Sequence, residues 1–273
     1  MKRTTLGEFA RDPVGRFLAG ETWAHYCAHA GLWGFILWGR PTEAHAFALG
    51  KSLVLELAPP AVPHASIVDC RQLQGGDDGA FDALHRYVAK YGAHLSQWVR
   101  LQALVRPPGL RGAIVSGAFE IIPRPFPVKI FPDVRSALEW VRPETRGASL
   151  DVLAQGIDSV IEQATGTSPD LGNLRGLLDT AGQRLSVADA ARELGLSART
   201  LQRKLKETRT TFQREVGLSM VRAAQRLLVE ADAPLTTIAL EAGFSSLQHL
   251  NTQFKKLIGT SPASWRERQK ERA

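Results

Sequence analysis

Four residues carry the sharpest chemistry in this sequence: Arg199, Gln202, Arg203 and Lys206. At helical spacing they share one side of a helix whose opposite side is Leu201 and Leu205. Arg can make two hydrogen bonds to the edge of guanine, and Gln two to adenine, both in the major groove of DNA. A second set follows 48 or so positions later: Gln248, Asn251, Thr252 and Lys255, opposite a stripe of Leu247, Leu250, Phe254 and Leu257. These eight are the candidate DNA-contacting residues. A merely solvated face competes with this reading for any single basic helix, so the surrounding elements must decide.

Those elements have the right form. Ser186-Val187-Ala188-Asp189 opens a helix as a capping box, with Val187, Ala190, Ala191 and Leu194 facing inward. Gly195-Leu196 turns the chain, and Ser197 caps the helix of the first reader face. A helix, a tight glycine turn and a second capped helix make a helix-turn-helix. The second unit runs from a short helix at Thr236–Glu241, with Ile238 and Ala239 inward, through Ala242-Gly243-Phe244. Ser245 is its expected cap, in a box with Gln248 that competes with a reading role for that residue. Gly259-Thr260-Ser261-Pro262 then breaks the chain before a last helix with Trp265 and Arg266. Between the units, Phe212–Glu230 reads as one scaffold helix with Val216, Met220, Ala223 or Ala224, and Leu227 on a face. At 1.5 Å per residue it is about 28 Å long.

Charge agrees with this division. The chain has a net charge of +7. From Asp170 onward 17 Lys+Arg oppose 11 Asp+Glu, whereas the residues before it hold 17 and 16. A basic segment beside a near-neutral one is the electrostatic footprint of a nucleic-acid module joined to something else. Two cysteines give no disulfide framework. The first ten residues lack the apolar core of a signal peptide, and the greasiest run, Leu32–Trp38, is too short to span a bilayer. A cytoplasmic protein without a membrane partner is expected.

The first half alternates extended and helical signals. Trp33–Trp38, Ser52–Leu57, Ser66–Cys70, Leu101–Arg106 and Pro127–Phe131 read as strands. Gly79–Val99 reads as a helix on Phe81, Leu84, Val88 and Leu95, with shorter helices at Arg111–Glu120 and Val134–Val141. Leu150, Leu153, Ile157 and Ile161 predict a helix over Leu150–Ala164. It serves as a linker packed on its neighbour or as a pairing helix between two protomers, so a homodimer stays open. Ser168 and Pro169 start the next helix. The expected fold is an α/β domain over 1–145, a linker helix over 146–169, and an all-α domain over 170–273, built of two helix-turn-helix units on a long scaffold helix.

The run Ser197-Ala198-Arg199-Thr200-Leu201-Gln202-Arg203-Lys204-Leu205-Lys206 resembles the first recognition helix of the AraC/XylS family of transcription regulators. Ile238-Ala239, Ala242-Gly243-Phe244-Ser245-Ser246, Phe254-Lys255-Lys256, Gly259 and Ser261-Pro262 resemble that family's C-terminal signature. The match covers roughly 170–267. It implies a sequence-specific transcription regulator that contacts two adjacent major grooves of double-stranded DNA and controls transcription through an additional domain, with RNA polymerase as a partner. Three positions depart from the pattern: Leu250 stands where an aromatic is usual, Thr252 where Arg is common, and Arg209 where Gly is frequent. The departures weigh on the second reader's grip rather than on the fold.

The N-terminal half is similar, more faintly, to the STAS domain of sulfate transporters and anti-sigma-factor antagonists, through Ser66–Cys70, the Gly79–Val99 helix, Leu101–Val105 and Phe131–Val141. In those antagonists a phosphorylated Ser or Thr heads the helix; here Gln74–Gly79 holds no hydroxyl. The resemblance then implies a protein-interaction or small-molecule-sensing role without a phospho-switch. His25, Cys27 and His29 lack a correctly spaced fourth ligand for structural zinc, so packing fits them better than metal. Trp23, Trp33 and Trp38 fit a core better than an aromatic cage. No phosphate loop, catalytic triad or carboxylate pair stands out, so neither an enzyme nor a cofactor is expected. A DNA-architectural protein without effector input, and a catalytic domain tethered to DNA, remain the alternatives.

Overall fold

The computed structural model describes residues 1–122, 124–181 and 185–270. The chain divides into two compact units, 1–173 and 174–273. Residues 271–273 of the expected DNA-binding domain lie outside the described residues.

The N-terminal unit contains β1 (Lys2–Arg3), α1 (Leu6–Arg11), β2 (Arg16–Ala19), β3 (Trp23–His29), β4 (Leu32–Gly39), α2 (Glu43–Leu53), β5 (His64–Leu73), α3 (Asp78–Trp98), β6 (Val99–Val105), α4 (Gly109–Ile121), β7 (Val128–Phe131), α5 (Val134–Val141) and α6 (Leu150–Thr165). The seven strands form one sheet in chain order. β3 pairs antiparallel with both β2 and β4, whereas β4 through β7 are parallel. The α/β class follows from those parallel strands, each reached through a helix.

Both faces of the sheet are covered, and the alternation along each strand divides the side chains between them. Ile36, Ile67, Ala103 and Val105 pack with Val134, Leu138 and Val141 of α5 and with Leu153, Ile157 and Ile161 of α6. Phe35, Val68, Cys70 and Leu104 face Leu49 and Leu53 of α2 and Val115 and Phe119 of α4. Gly34 is required where β4 passes its neighbours: a Cβ there would collide with the Ile67 carbonyl and the Tyr26 ring.

One sequence expectation is corrected here. Ser52–Leu57 is not a strand but the end of α2 and a 3-10 turn at Val54–Leu57. A short apolar run has no period to tell a strand from a buried helix end. α6 is packed on its neighbours: Leu153, Ile157, Val160 and Ile161 are buried in the core, and Arg71 of β5 bridges Asp69 and Asp158 at 2.7 Å each. Those four residues of its apolar stripe are therefore covered within the unit. His25 and His64 flank the buried Glu56 carboxylate at 3.4 and 3.8 Å, and both rings lie 5.6 Å from Trp33. Cys27 Sγ instead donates to the His29 carbonyl. At the head of α3 the cap is the carboxylate of Asp77, accepting from Ala80 N–H at 2.7 Å.

The helical remainder comprises α7 (Pro169–Ala181), which contains the division between the units, then α8 (Val187–Glu193), α9 (Ala198–Glu207), α10 (Phe212–Glu230), α11 (Leu235–Glu241), α12 (Leu247–Ile258) and α13 (Pro262–Lys270). α10 is continuous over its expected range. Met220, Val221, Ala224 and Leu228 form its fully buried face, against Ile238, Phe244, Leu250 and Phe254; Val216, Ala223 and Leu227 are only partly covered. Among the described residues, no helix is long and apolar enough to cross a membrane.

Ala224 is fully buried at mid-helix. Ala224→Pro removes a backbone hydrogen bond and forces a ring against the preceding turn, so it is expected to cost about 3 kcal/mol or more. Denaturant titration checks this; a loss well under that figure would show that α10 tolerates a break at its centre.

Candidate nucleic-acid interface

Hydroxyl caps and glycine turns build both units. Ser186 Oγ accepts from Asp189 N–H at 3.1 Å and donates to the Asp189 carboxylate at 2.6 Å. That side-chain bond is the main reason the Asp189 carboxyl titrates below its usual range. At the end of α8, Leu196 N–H donates to the Ala191 carbonyl at 2.8 Å and Gly195 N–H to Arg192 at 3.1 Å, with Gly195 at φ 68°. The pair recurs 48 positions later: Phe244 N–H to Ala239 at 2.8 Å and Gly243 N–H to Leu240 at 3.0 Å, with Gly243 at φ 92°. Both are left-handed C-terminal motifs that only a residue tolerant of positive φ can close cheaply.

The reader caps do not keep that spacing. Ser197 opens α9 and Ser246 opens α12, which are 49 positions apart, so the second turn is one residue longer. Ser246, not Ser245, is the cap: its Oγ accepts from His249 N–H at 3.1 Å. Ser245 Oγ sits 3.1 Å from His249 Nδ1 instead. Gln248 is thereby released from the capping role expected of it.

Aligned on their caps, the two helices are equivalent position by position. Arg199 matches Gln248, Gln202 matches Asn251, Arg203 matches Thr252, and Lys206 matches Lys255; all eight are exposed. The buried Leu201 and Leu205 match Leu250 and Phe254. Two reader side chains are engaged within the chain. Arg203 Nη1 lies 2.5 Å from Glu207 Oε1 in an exposed pair, worth little in water. Thr252 Oγ1 donates to the Gln248 carbonyl at 2.9 Å, leaving its lone pairs and methyl outward. The other six make no hydrogen bond or ion pair among the described residues. Arg209, at the end of α9, is left-handed at φ 56°, the conformation for which Gly is suited.

Residues 190–268 match the family model described as a helix-turn-helix domain. This is an AraC-type helix-turn-helix domain. The HTH-type transcriptional activator RhaS of Klebsiella pneumoniae is 33% identical over 111 residues, 40% of this chain and 40% of that protein. The ornithine utilization regulator of Pseudomonas aeruginosa is 36% identical over 91 residues, 33% of this chain and 27% of that protein. The solved structure of a transcriptional regulator from Chromobacterium violaceum, described as having an AraC-type DNA-binding domain, is 26% identical at a TM-score of 0.34, covering 36% of this chain and 90% of that one. The chain thus spans at most about two fifths of the length of these curated relatives.

The AraC-type domain is held by a buried carboxylate that the sequence did not flag. Glu215, on the first turn of α10, is 1% exposed. It accepts from Arg175 Nε of α7 at 2.7 Å and from Thr210 Oγ1, just beyond α9, at 2.6 Å. Arg222 of α10 reaches back to Asp179 of α7 at 2.7 Å. In a sequence, an acid in a first turn reads simply as compensation for the helix dipole.

Burial raises the Glu215 pKa, but the hydrogen bonds from Arg175 and Thr210 and the charge of Arg175 outweigh it, so the net shift is downward from 4.5. Its contribution to stability is therefore complete above the unfolded value of 4.5 and is lost as pH falls through the lower folded value. Glu215→Gln is expected to cost about 1.5–3 kcal/mol near neutrality, as for a lost hydrogen bond to a charged group. It should also flatten part of the acid-induced loss of stability. Denaturant titrations near neutrality and down through the carboxylate range test both; an unchanged acid profile would remove Glu215 from the account.

Proposed function

We propose that the chain is a sequence-specific transcription regulator that reads double-stranded DNA through two unlike helix-turn-helix units, with the N-terminal α/β unit as its regulatory half. The cap-aligned equivalence of α9 and α12 carries this reading, because it sets four outward, mostly hydrogen-bonding side chains at matching positions on each. α10, of 19 residues, supports a two-groove contact: it spans about 28 Å, against about 34 Å between successive major grooves on one side of B-DNA. The matched relatives, named as a transcriptional activator and a utilization regulator, support control of transcription. In this reading RNA polymerase is a further partner, met in the cytoplasm. The DNA-binding half begins near Asp170. The regulatory half takes the interaction or sensing role that the STAS resemblance implies.

Selection of bound sites from a random DNA pool tests the proposal. Two half-sites about 10 base pairs apart are expected. A single half-site, or no enrichment, would overturn the two-groove reading. Affinity should also fall steeply with salt as phosphate contacts release counterions.

The two faces divide the labour unequally. α9 presents Arg199, Gln202 and Arg203, which suit guanine and adenine edges, whereas α12 presents no Arg among Gln248, Asn251 and Thr252. Arg203→Ala is expected to cost about 1–3 kcal/mol on a cognate duplex and to relax specificity in its half-site. Thr252→Ala should cost less, its hydroxyl proton being already engaged. Titrations against single-base variants decide; greater loss of discrimination from Thr252→Ala or Asn251→Ala would reverse the assignment.

A further inference from the structure

A cavity of about 360 Å³ lies wholly within the N-terminal unit, between α2, α3 and α4 and the sheet face they cover. That volume is within the ~300–1,000 Å³ of sites that enclose small molecules. Its walls are apolar: Leu37 of β4, Leu49 and Leu53 of α2, Phe81 and Leu84 of α3, and Phe119 of α4. Trp23 and Leu73, the last residue of β5, close it, so that it sits near the carboxyl ends of β4 and β5. Ligands of α/β sheets characteristically bind beyond those strand ends.

Two unpartnered polar atoms interrupt the mainly apolar lining. Thr22 Oγ1 and Tyr87 Oη are both out of solvent and have no hydrogen-bond partner among the described residues, and both residues line the cavity. Native proteins rarely leave a buried hydroxyl unpaired, and two beside one cavity mark polar groups reserved for something that enters it. Burial first, then the nearby Glu56 and Tyr91, pushes the Tyr87 phenol well above its usual range, so it is a neutral donor and acceptor. The described lining residues include Asp77 and Asp78 but no Lys or Arg; Asp77 caps α3, and His45 already holds Thr42 N–H on Nδ1 and faces Glu21 with Nε2 at 3.2 Å. An anion would find no unpaired countercharge there.

We propose that this cavity is the effector site of the regulatory half, and that it takes an uncharged, mainly apolar ring compound bearing one or two oxygen functions, which hydrogen-bond Thr22 and Tyr87. The term effector rests on the regulator reading above; the binding itself does not.

The test uses the full chain and a defined probe set: 4-phenylphenol, 2-naphthol and cyclohexyl phenyl ketone, with biphenyl-4-carboxylate and 2-naphthoate as anionic counterparts, titrated by calorimetry. At least one neutral probe should bind one per chain below about 1 mM, and both carboxylates about tenfold more weakly than it or worse. Tyr87→Phe keeps the ring and should weaken binding roughly three- to tenfold. Ala118→Phe fills the cavity from α4 and should abolish binding; Ala80→Leu fills it from α3 if the first variant does not fold. No binding by any neutral probe, tighter binding of the anions, or full binding by a folded cavity-filled variant overturns the site. DNA titration of the same preparation separates the two readings. DNA binding without probe binding leaves the regulator and removes the site. Probe binding without DNA binding leaves the site and removes the regulator.

Discussion

Glu215 is a carboxylate taken almost fully out of water, and it is tolerable only because Arg175 and Thr210 meet both of its oxygens. Those two partners come from different places, α7 and the residue just past the end of α9. The charge therefore fixes three things at once: where α7 lies on α10, where the scaffold helix begins, and how the first reader helix is delivered to it. Thr211, next to Thr210, caps α10 through its hydroxyl, so the same few residues also end the turn and start the helix. The second unit reaches the far part of α10 by different means, an apolar cluster around Val221, Ala224, Leu228 and Phe254. One end of the scaffold is pinned by charge and the other by packing. Acidification accordingly attacks the end that carries the first reader.

The N-terminal unit solves a related problem with a sheet. Its parallel strands must be covered on both sides, which is why β5 is buried along nearly its whole length and why α6 is drawn into the core rather than left between domains. Arg71 strengthens that attachment. Burial alone would lower its pKa, but Asp69 and Asp158 hold it firmly protonated. The face opposite α5 and α6 is packed less completely, and the space left there is the cavity beneath α2, α3 and α4.

The helical domain was legible because its signals are local. Serine caps, glycine turns and the three-four spacing of Leu201, Leu205, Leu250 and Phe254 each declare themselves within a few residues. The error at Ser245 arose where two serines stand side by side, and only the hydrogen bond to His249 N–H distinguishes them. Much less of the N-terminal unit could be read. β3 has the sequence WAHYCAH, weak in strand-forming residues, and is a strand because β2 and β4 pair with it on either side. α2 is rich in Ala with no strong apolar stripe, and its role comes from what it covers. The Glu215 clamp and the cavity were invisible for the same reason: each joins residues distant in the chain, and no spacing rule reports on such pairs.

The extra residue in the second turn has a consequence for any DNA so bound. Identical readers would draw no chemical distinction between the two halves of a site. Here the N-terminal reader is arginine-bearing and follows a short turn, whereas the C-terminal one is amide-bearing and follows a longer turn. Reversing the duplex would present each reader with its neighbour's bases at an unsuitable register. If both helices read bases as proposed, a site matched to this domain has a head and a tail, and the protein bound there would point in one direction along the chromosome.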